Sequence, residues 1–213
     1  MEKIVSPFKP ITDGQIGKFN EKIAARLRKN NTEISSDVFQ EIVTTDDTLI
    51  DEVFAAVRKR VEARSNFIIR TVKVNRNRSA KEALKATGRN QYVTDSVVKN
   101  MPKAESDEVE VILFKIGRQI SDNDLDKEYE LRGLKPADPY SQAAVNEADP
   151  AFADEHPNGT HWKDADDKWC FATFRRWLGE RIVDVDRVGD VWYGFWWFAG
   201  VRKSSSDSDT LNS

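Results

Sequence analysis

Seven acidic or imidazole side chains crowd into "ADEHPNGTHWKDADD": Asp154, Glu155, His156, His161, Asp164, Asp166 and Asp167. Their types would suit a divalent cation or an acid–base pair. An alternating acidic calcium loop also needs a central glycine and a distal glutamate, and "DADDKW" has neither. The two histidines lie five residues apart beside a carboxylate, but no nucleophile or glycine-rich phosphate loop accompanies them. Two histidines and one cysteine do not favour a closed zinc site. Cys170 alternates inside an aromatic segment, the setting of a buried inert thiol rather than a nucleophile. The stretch therefore reads as a solvated acidic turn. The expectation is no catalytic residue, no metal and no cofactor.

A different chemistry gathers near the C-terminus. All six tryptophans lie between Trp162 and Trp197, and "RIVDVDRVGDVWYGFWWFAGVRK" spans Arg181 to Lys203. Its first half alternates like a strand. With Val183 and Val185 turned inward, Ile182, Asp184, Asp186, Val188 and Asp190 turn outward. Those outward residues share no chemistry, and Tyr193, Gly194 and Phe195 follow among tryptophans. A surface built only for stability would not expose Ile182, Val188, Tyr193 and Phe195 together. The candidate ligand-binding face is Ile182, Asp184, Asp186, Val188, Gly189, Asp190, Val191, Tyr193, Gly194 and Phe195. Trp169, Trp177, Trp192, Trp196 and Trp197 are the expected scaffold beneath it, because buried rings hold a backbone still.

The elements that must position this face are legible by periodicity. Thr12 or Asp13 caps a helix with Ile16, Phe19, Ile23 and Leu27 at helical spacing. Ser35 or Ser36 caps a second, with Val38, Phe39 and Ile42 inward. A third carries Leu49, Val53, Phe54, Val57 and Val61 as one stripe, with acids at its start and bases at its end. "FIIRTVKVNRNR" is a strand, "SAKEALKATG" a helix capped by Ser79 and stopped by Gly88. "VEVILFKIG" is a strand buried on both faces, and "SDNDLDKEYELRGL" a helix capped by Ser121 or Asp122. A helix is expected from Pro139 to about Ala148, and a turn at Asn158 and Gly159. Three successive strands, "KWCFATFRRW", "RIVDVDRV" and "WYGFWWFAGVRK", make a small antiparallel unit.

The expected fold class is α+β. A helical N-terminal segment and a small α/β unit occupy 1–134, and a Trp-rich antiparallel β domain 135–203. Residues 204–213 read as a disordered tail. The 213 residues suffice for one large domain or two small ones. No apolar run is long enough to span a bilayer, and no signal peptide is seen. With its lone cysteine, the chain is placed in a reducing, cytoplasmic setting. Net charge is −3, but Arg58 to Arg89 holds eleven Lys or Arg against Glu62 and Glu82. Ser121 to Asp167 holds thirteen Asp or Glu against four bases. Either the two blocks face one another, or the basic block tracks phosphates.

The C-terminal block resembles the variable region of target proteins of diversity-generating retroelements. "AGVRK", with Gly200 and Arg202, is similar to their terminal Gly-aromatic-Arg signature, with Val201 where Phe is usual. The resemblance covers about 23 residues strongly and reaches loosely back to Pro150. It implies a C-type-lectin-like C-terminal domain whose exposed positions are randomised through template adenines. Such AAC-derived codons never encode Lys, Glu, Gln, Met or Trp, and positions 182, 184, 186, 188, 190, 193 and 195 hold none of these. GAC-derived codons encode only Asp, Gly, Val or Ala, and positions 189, 191 and 194 comply. Tryptophan codons contain no adenine, which leaves Trp192, Trp196 and Trp197 as fixed scaffold. Lectin calcium motifs of the Glu-Pro-Asn or Trp-Asn-Asp kind are absent.

The expected function is thus a non-enzymatic binding or display protein with a protein or other macromolecular ligand. The alternative is nucleic-acid binding through residues 58–89. A third option is a homo-oligomer joined through the aromatic face.

Overall fold

The structure is a computed structural model that describes residues 10–187 and 191–203. Of the expected face, Val188, Gly189 and Asp190 lie outside the described residues, as does the 204–213 tail. The chain divides into two compact units, one up to Ser65 and one from Asn66 onward. Together they contain eight α-helices and an eight-stranded, mostly antiparallel sheet among the described residues. The fold is therefore α+β. No described helix is long and apolar enough to cross a membrane.

The first unit is helical: α1 (Asp13–Lys29), α2 (Ser36–Thr45) and α3 (Thr48–Glu62). At α1 the Thr12 hydroxyl accepts from Gln15 N while the Gln15 side chain accepts from Thr12 N, closing a capping box. All three helices appear where the 3.6-residue period puts them. Their apolar stripes, expected to turn inward, are covered only in part: Leu27, Phe39, Ile42 and Leu49 are half-buried, and no residue of α1, α2 or α3 is fully buried.

The second unit is built on one sheet. Its strands are β1 (Phe67–Lys73), β2 (Asn90–Val93), β3 (Glu108–Lys115), β4 (Leu134–Pro136), β5 (Asn158–Lys163), β6 (Trp169–Trp177), β7 (Glu180–Arg187) and β8 (Trp197–Arg202). The order across the sheet is β1-β3-β8-β5-β6-β7-β2, with β4 also pairing β8. Between the strands lie α4 (Ala80–Ala86), α5 (Asp95–Val98), α6 (Asp122–Leu131), α7 (Pro139–Ala148) and α8 (Phe152–Glu155). Ser79 caps α4 in a second capping box with Glu82, Ser121 caps α6, and Asp138 caps α7.

The four apolar residues of β3 explain the layering. Val111 and Leu113 enter one core with Ala172, Phe174, Val183 and Val185. Ile112 and Phe114 enter another, on the opposite face, with Tyr129, Trp192, Trp196 and Phe198. A strand apolar on both sides needs a layer on each. Helix α7 is buried along eight of its ten residues and contributes to the first core. Helix α6 contributes Leu125 and Tyr129 to the second.

Three expectations meet a different arrangement. The sheet runs straight across residues 134 and 135, since β1 and β3 join β8, and the units divide near Ser65 instead. The three C-terminal strands are not consecutive neighbours. β5, β6 and β7 form the antiparallel meander, while β8 (only Trp197–Arg202) returns to lie between β3 and β5. Asn158 and Gly159 do not turn; they open β5. Asn158 is buried, its amide bonded to Gln142 and Asn146 of α7, so its polar side chain is satisfied inside the protein. A Cβ on Gly159 would lie 2.7 Å from the Trp192 ring, so glycine serves close packing here.

Candidate ligand-binding recess

The acidic stretch disperses on folding. Asp154 pairs with Arg181 and Arg176, while Asp164 closes the β5–β6 turn and pairs with Arg187. The two histidines have separate surroundings: His156 meets Trp197 edge-on, and His161 is buried between Asp122 and Asp126. Among the described residues no cluster of three or more His, Cys, Asp or Glu could hold a metal ion. Burial pushes the Cys170 thiol up from its ordinary value, with Asp164 adding to the effect. A thiol so placed is a poor thiolate.

The aromatic block instead builds one concave surface. Its wall is the outer face of β2, β6 and β7. Strand register puts Phe171 beside Asp186, Thr173 beside Asp184 and Arg175 beside Ile182, while parallel β2 sets Tyr92 beside Asp184. Residues 191–196 complete it. The recess holds about 990 Å³, and Asp184, Asp186, Val191, Tyr193 and Phe195 line it with those residues.

Residues 191–196 are not a strand, yet they keep a two-residue alternation. Trp192 exchanges backbone hydrogen bonds with Ile120 at 2.8 and 2.9 Å, and its indole N–H donates to Asp122 Oδ1 at 2.8 Å. Its ring meets Trp196, Phe198 and Phe171 edge-on. Trp196 N donates to Tyr193 O, and Trp197 N to Pro157 O. Trp192, Trp196 and Trp197 are therefore the buried frame. Val191, Tyr193 and Phe195 stay exposed, and the Tyr193 and Phe195 rings lie parallel, 6.1 Å between centroids. Exposed aromatics held on a rigid backbone lose little entropy on binding.

Charge enters through Arg175 and Asp184, 3.2 Å apart. The guanidinium lies between the Trp177 and Trp196 rings, 5.2 and 6.0 Å from their centroids. Burial pushes the Asp184 carboxyl above its ordinary value, against the opposing pull of Arg175 and Thr173. Asp186 is exposed at the rim.

Four members of the expected face and scaffold sit elsewhere than the sequence pattern placed them. Ile182 shares the face of Asp184 but is only 2% exposed, so it packs rather than contacts. Its strand neighbours Asn90 and Arg175 flank it, where a free edge would have left it outward. Gly194 is wedged against the Gly117–Arg118 backbone: a Cβ there would lie 2.8 Å from Arg118 N and from Gly117 C. Trp177 is 54% exposed and is not buried scaffold, and Trp169 is half-buried, stacked on His161. Tyr92, Phe171, Thr173 and Arg175 line the recess but were not foreseen. The β6 members were legible as the second face of an alternating strand. Tyr92 was not, because "TGRNQYVT" reads as a helix stop and β2 gains its place only by pairing with β7.

No family model matches the chain, and neither does any curated protein or solved structure searched.

Proposed function

We propose that this protein is a non-enzymatic binding protein whose recess at Asp184, Asp186, Val191, Tyr193 and Phe195 docks a macromolecular ligand. The observation that supports it most is the alternation at 191–196. Trp192, Gly194 and Trp196 are tied into the fold, while Val191, Tyr193 and Phe195 stand free around one recess. Contacts on such a frame can change without disturbing the core. On the finer reading, this is the variable face of a retroelement target protein, carried on a C-type-lectin-like fold.

The gene tests the finer reading. The codons at positions 184, 186, 193 and 195 should end in C, and a nearby near-copy of the stretch should differ only at adenines. A codon ending in T at Tyr193 or Phe195 would overturn diversification.

Nucleic-acid binding through 58–89 stands second. That basic block is divided between the two units, and three of its bases within the second have acidic partners. Arg76 pairs with Asp138 at 2.7 Å, Arg78 with Glu147 at 2.6 Å, and Lys81 with Asp95. Filter binding at two salt concentrations, repeated after neutralising Arg70, Lys73, Arg76 and Arg78, is the measurement that would promote this reading.

A further inference from the structure

The helical unit has an unusual balance. Twelve of the nineteen large apolar side chains exposed among the described residues belong to residues 10–65. None of its helix residues is fully buried. Isolated helices of about 10–17 residues are marginal in water, and most helical stability comes from covering an apolar face. Helix α3 exposes Ile50, Phe54, Val57 and Val61 at four-, three- and four-residue spacing, with Val53 beside them. That is the pattern of a seam between helices.

The stripe is also self-complementary in one orientation. Turned antiparallel against its own copy, α3 sets Ile50 opposite Val61 and Phe54 opposite Val57. Asp51 and Arg58 flank the stripe on the same side, so each acid then meets a base of the other copy. The acidic start, Asp51 and Glu52, and the basic end, Arg58 and Arg60, are brought together twice over. A parallel pair would set like end against like end. The same-patch contact of a twofold dimer requires this self-matching. Mixed charge beside the stripe also argues against an anionic lipid surface, which would repel Asp51 and Glu52.

We infer that the helical unit is a self-association surface whose occupant is a second copy of this chain, docked antiparallel along α3. This places two binding recesses in one assembly and so raises avidity for a repetitive ligand.

Sedimentation equilibrium of the full chain tests it. The native chain should be a dimer at micromolar concentration. Phe54→Glu with Val57→Glu should be monomeric, with the near-ultraviolet spectrum of the six tryptophans unchanged, which shows the sheet unit still folded. Arg58→Asp should weaken the dimer severalfold, and Asp51→Arg in the same chain should restore it. A monomeric native chain, or a dimer indifferent to the Phe54 and Val57 changes, overturns self-association through α3. Failure of the charge swap to restore affinity overturns the antiparallel arrangement.

Discussion

The indole N–H of Trp192 donates to Oδ1 of Asp122 at 2.8 Å, across 70 residues of chain, with both side chains buried. His161 Nδ1 meets the same oxygen at 2.7 Å. One carboxylate at the start of α6 thus fixes both a residue of β5 and the frame of the recess. Trp192 also lines the recess, but at 5% exposure it acts as its buried support more than as a contact.

Trp192→Phe should therefore cost about 2–4 kcal/mol, combining a lost charge-assisted hydrogen bond with trimmed packing. Trp177→Phe, at an exposed ring, should stay within about 0.5 kcal/mol. Urea unfolding followed by far-ultraviolet circular dichroism measures both. Equal costs would mean that Trp192 is not a support.

The His161 network makes stability depend on pH. Burial opposes the imidazolium, but hydrogen bonds and charge from Asp122 and Asp126 outweigh it and hold His161 above its ordinary value. The folded state then binds the proton more tightly than the unfolded chain does. This contribution is full below the unfolded value of 6.5 and is lost as pH rises through the higher folded value. The neighbouring Tyr129 hydroxyl, pushed far up by burial, does not titrate in that range. The urea midpoint should fall as pH rises from about 6 in the native chain and fall less in His161→Gln. Parallel slopes would remove His161 as the cause.

Face and frame should separate by substitution. Gly194→Ala drives a Cβ into the Gly117–Arg118 backbone and should destabilise by about 1–3 kcal/mol. Tyr193→Ala and Phe195→Ala remove exposed rings and should each cost less than about 1 kcal/mol. Thermal melts of the three variants decide it. A neutral Gly194→Ala would return that position to the variable face.

Arg175 holds the charge of the recess wall in balance. Arg175→Ala leaves Asp184 half-buried without its partner and should cost about 1–2 kcal/mol, between the values for exposed and buried pairs. It should also push the Asp184 carboxyl further up. Adding Asp184→Asn should recover much of the loss, because the stranded charge is gone. A double-mutant cycle with no coupling between the two positions would show that the pair is not an energetic unit.

Several features were legible because they are local. The cap at Ser79 is the one expected, and of the two residues offered for the first helix, Thr12 or Asp13, the cap is Thr12. The alternation of β6 put Cys170, Ala172 and Phe174 on one face, and all three are in one core. The continuous apolar run of β3 correctly signalled burial on both sides. By contrast, Ile182 looks the same as Asp184 to any alternation rule. Its burial depends on β2 arriving in parallel beside β7, a pairing that joins Asn90 to Ile182 across the fold. The two charged blocks posed a similar ambiguity. Only the approach of α7 to the end of β1 brings Arg76 to Asp138 and Ser141.

By itself, the amino-acid order placed α1 to α4, α6, α7 and the strands β1, β3, β6 and β7, and it gathered the tryptophans in one region. Hydrophobic period and capping act over a few residues, so they survive without any knowledge of neighbours. Tertiary structure alone decided that β8 returns to the middle of the sheet, that Gly194 has no room for a side chain, and that Asp122, His161 and Trp192 share one carboxylate oxygen. Those relationships are set by which distant segments meet, and contact between distant segments is governed by shape and satisfied polar groups that no single stretch of chain encodes.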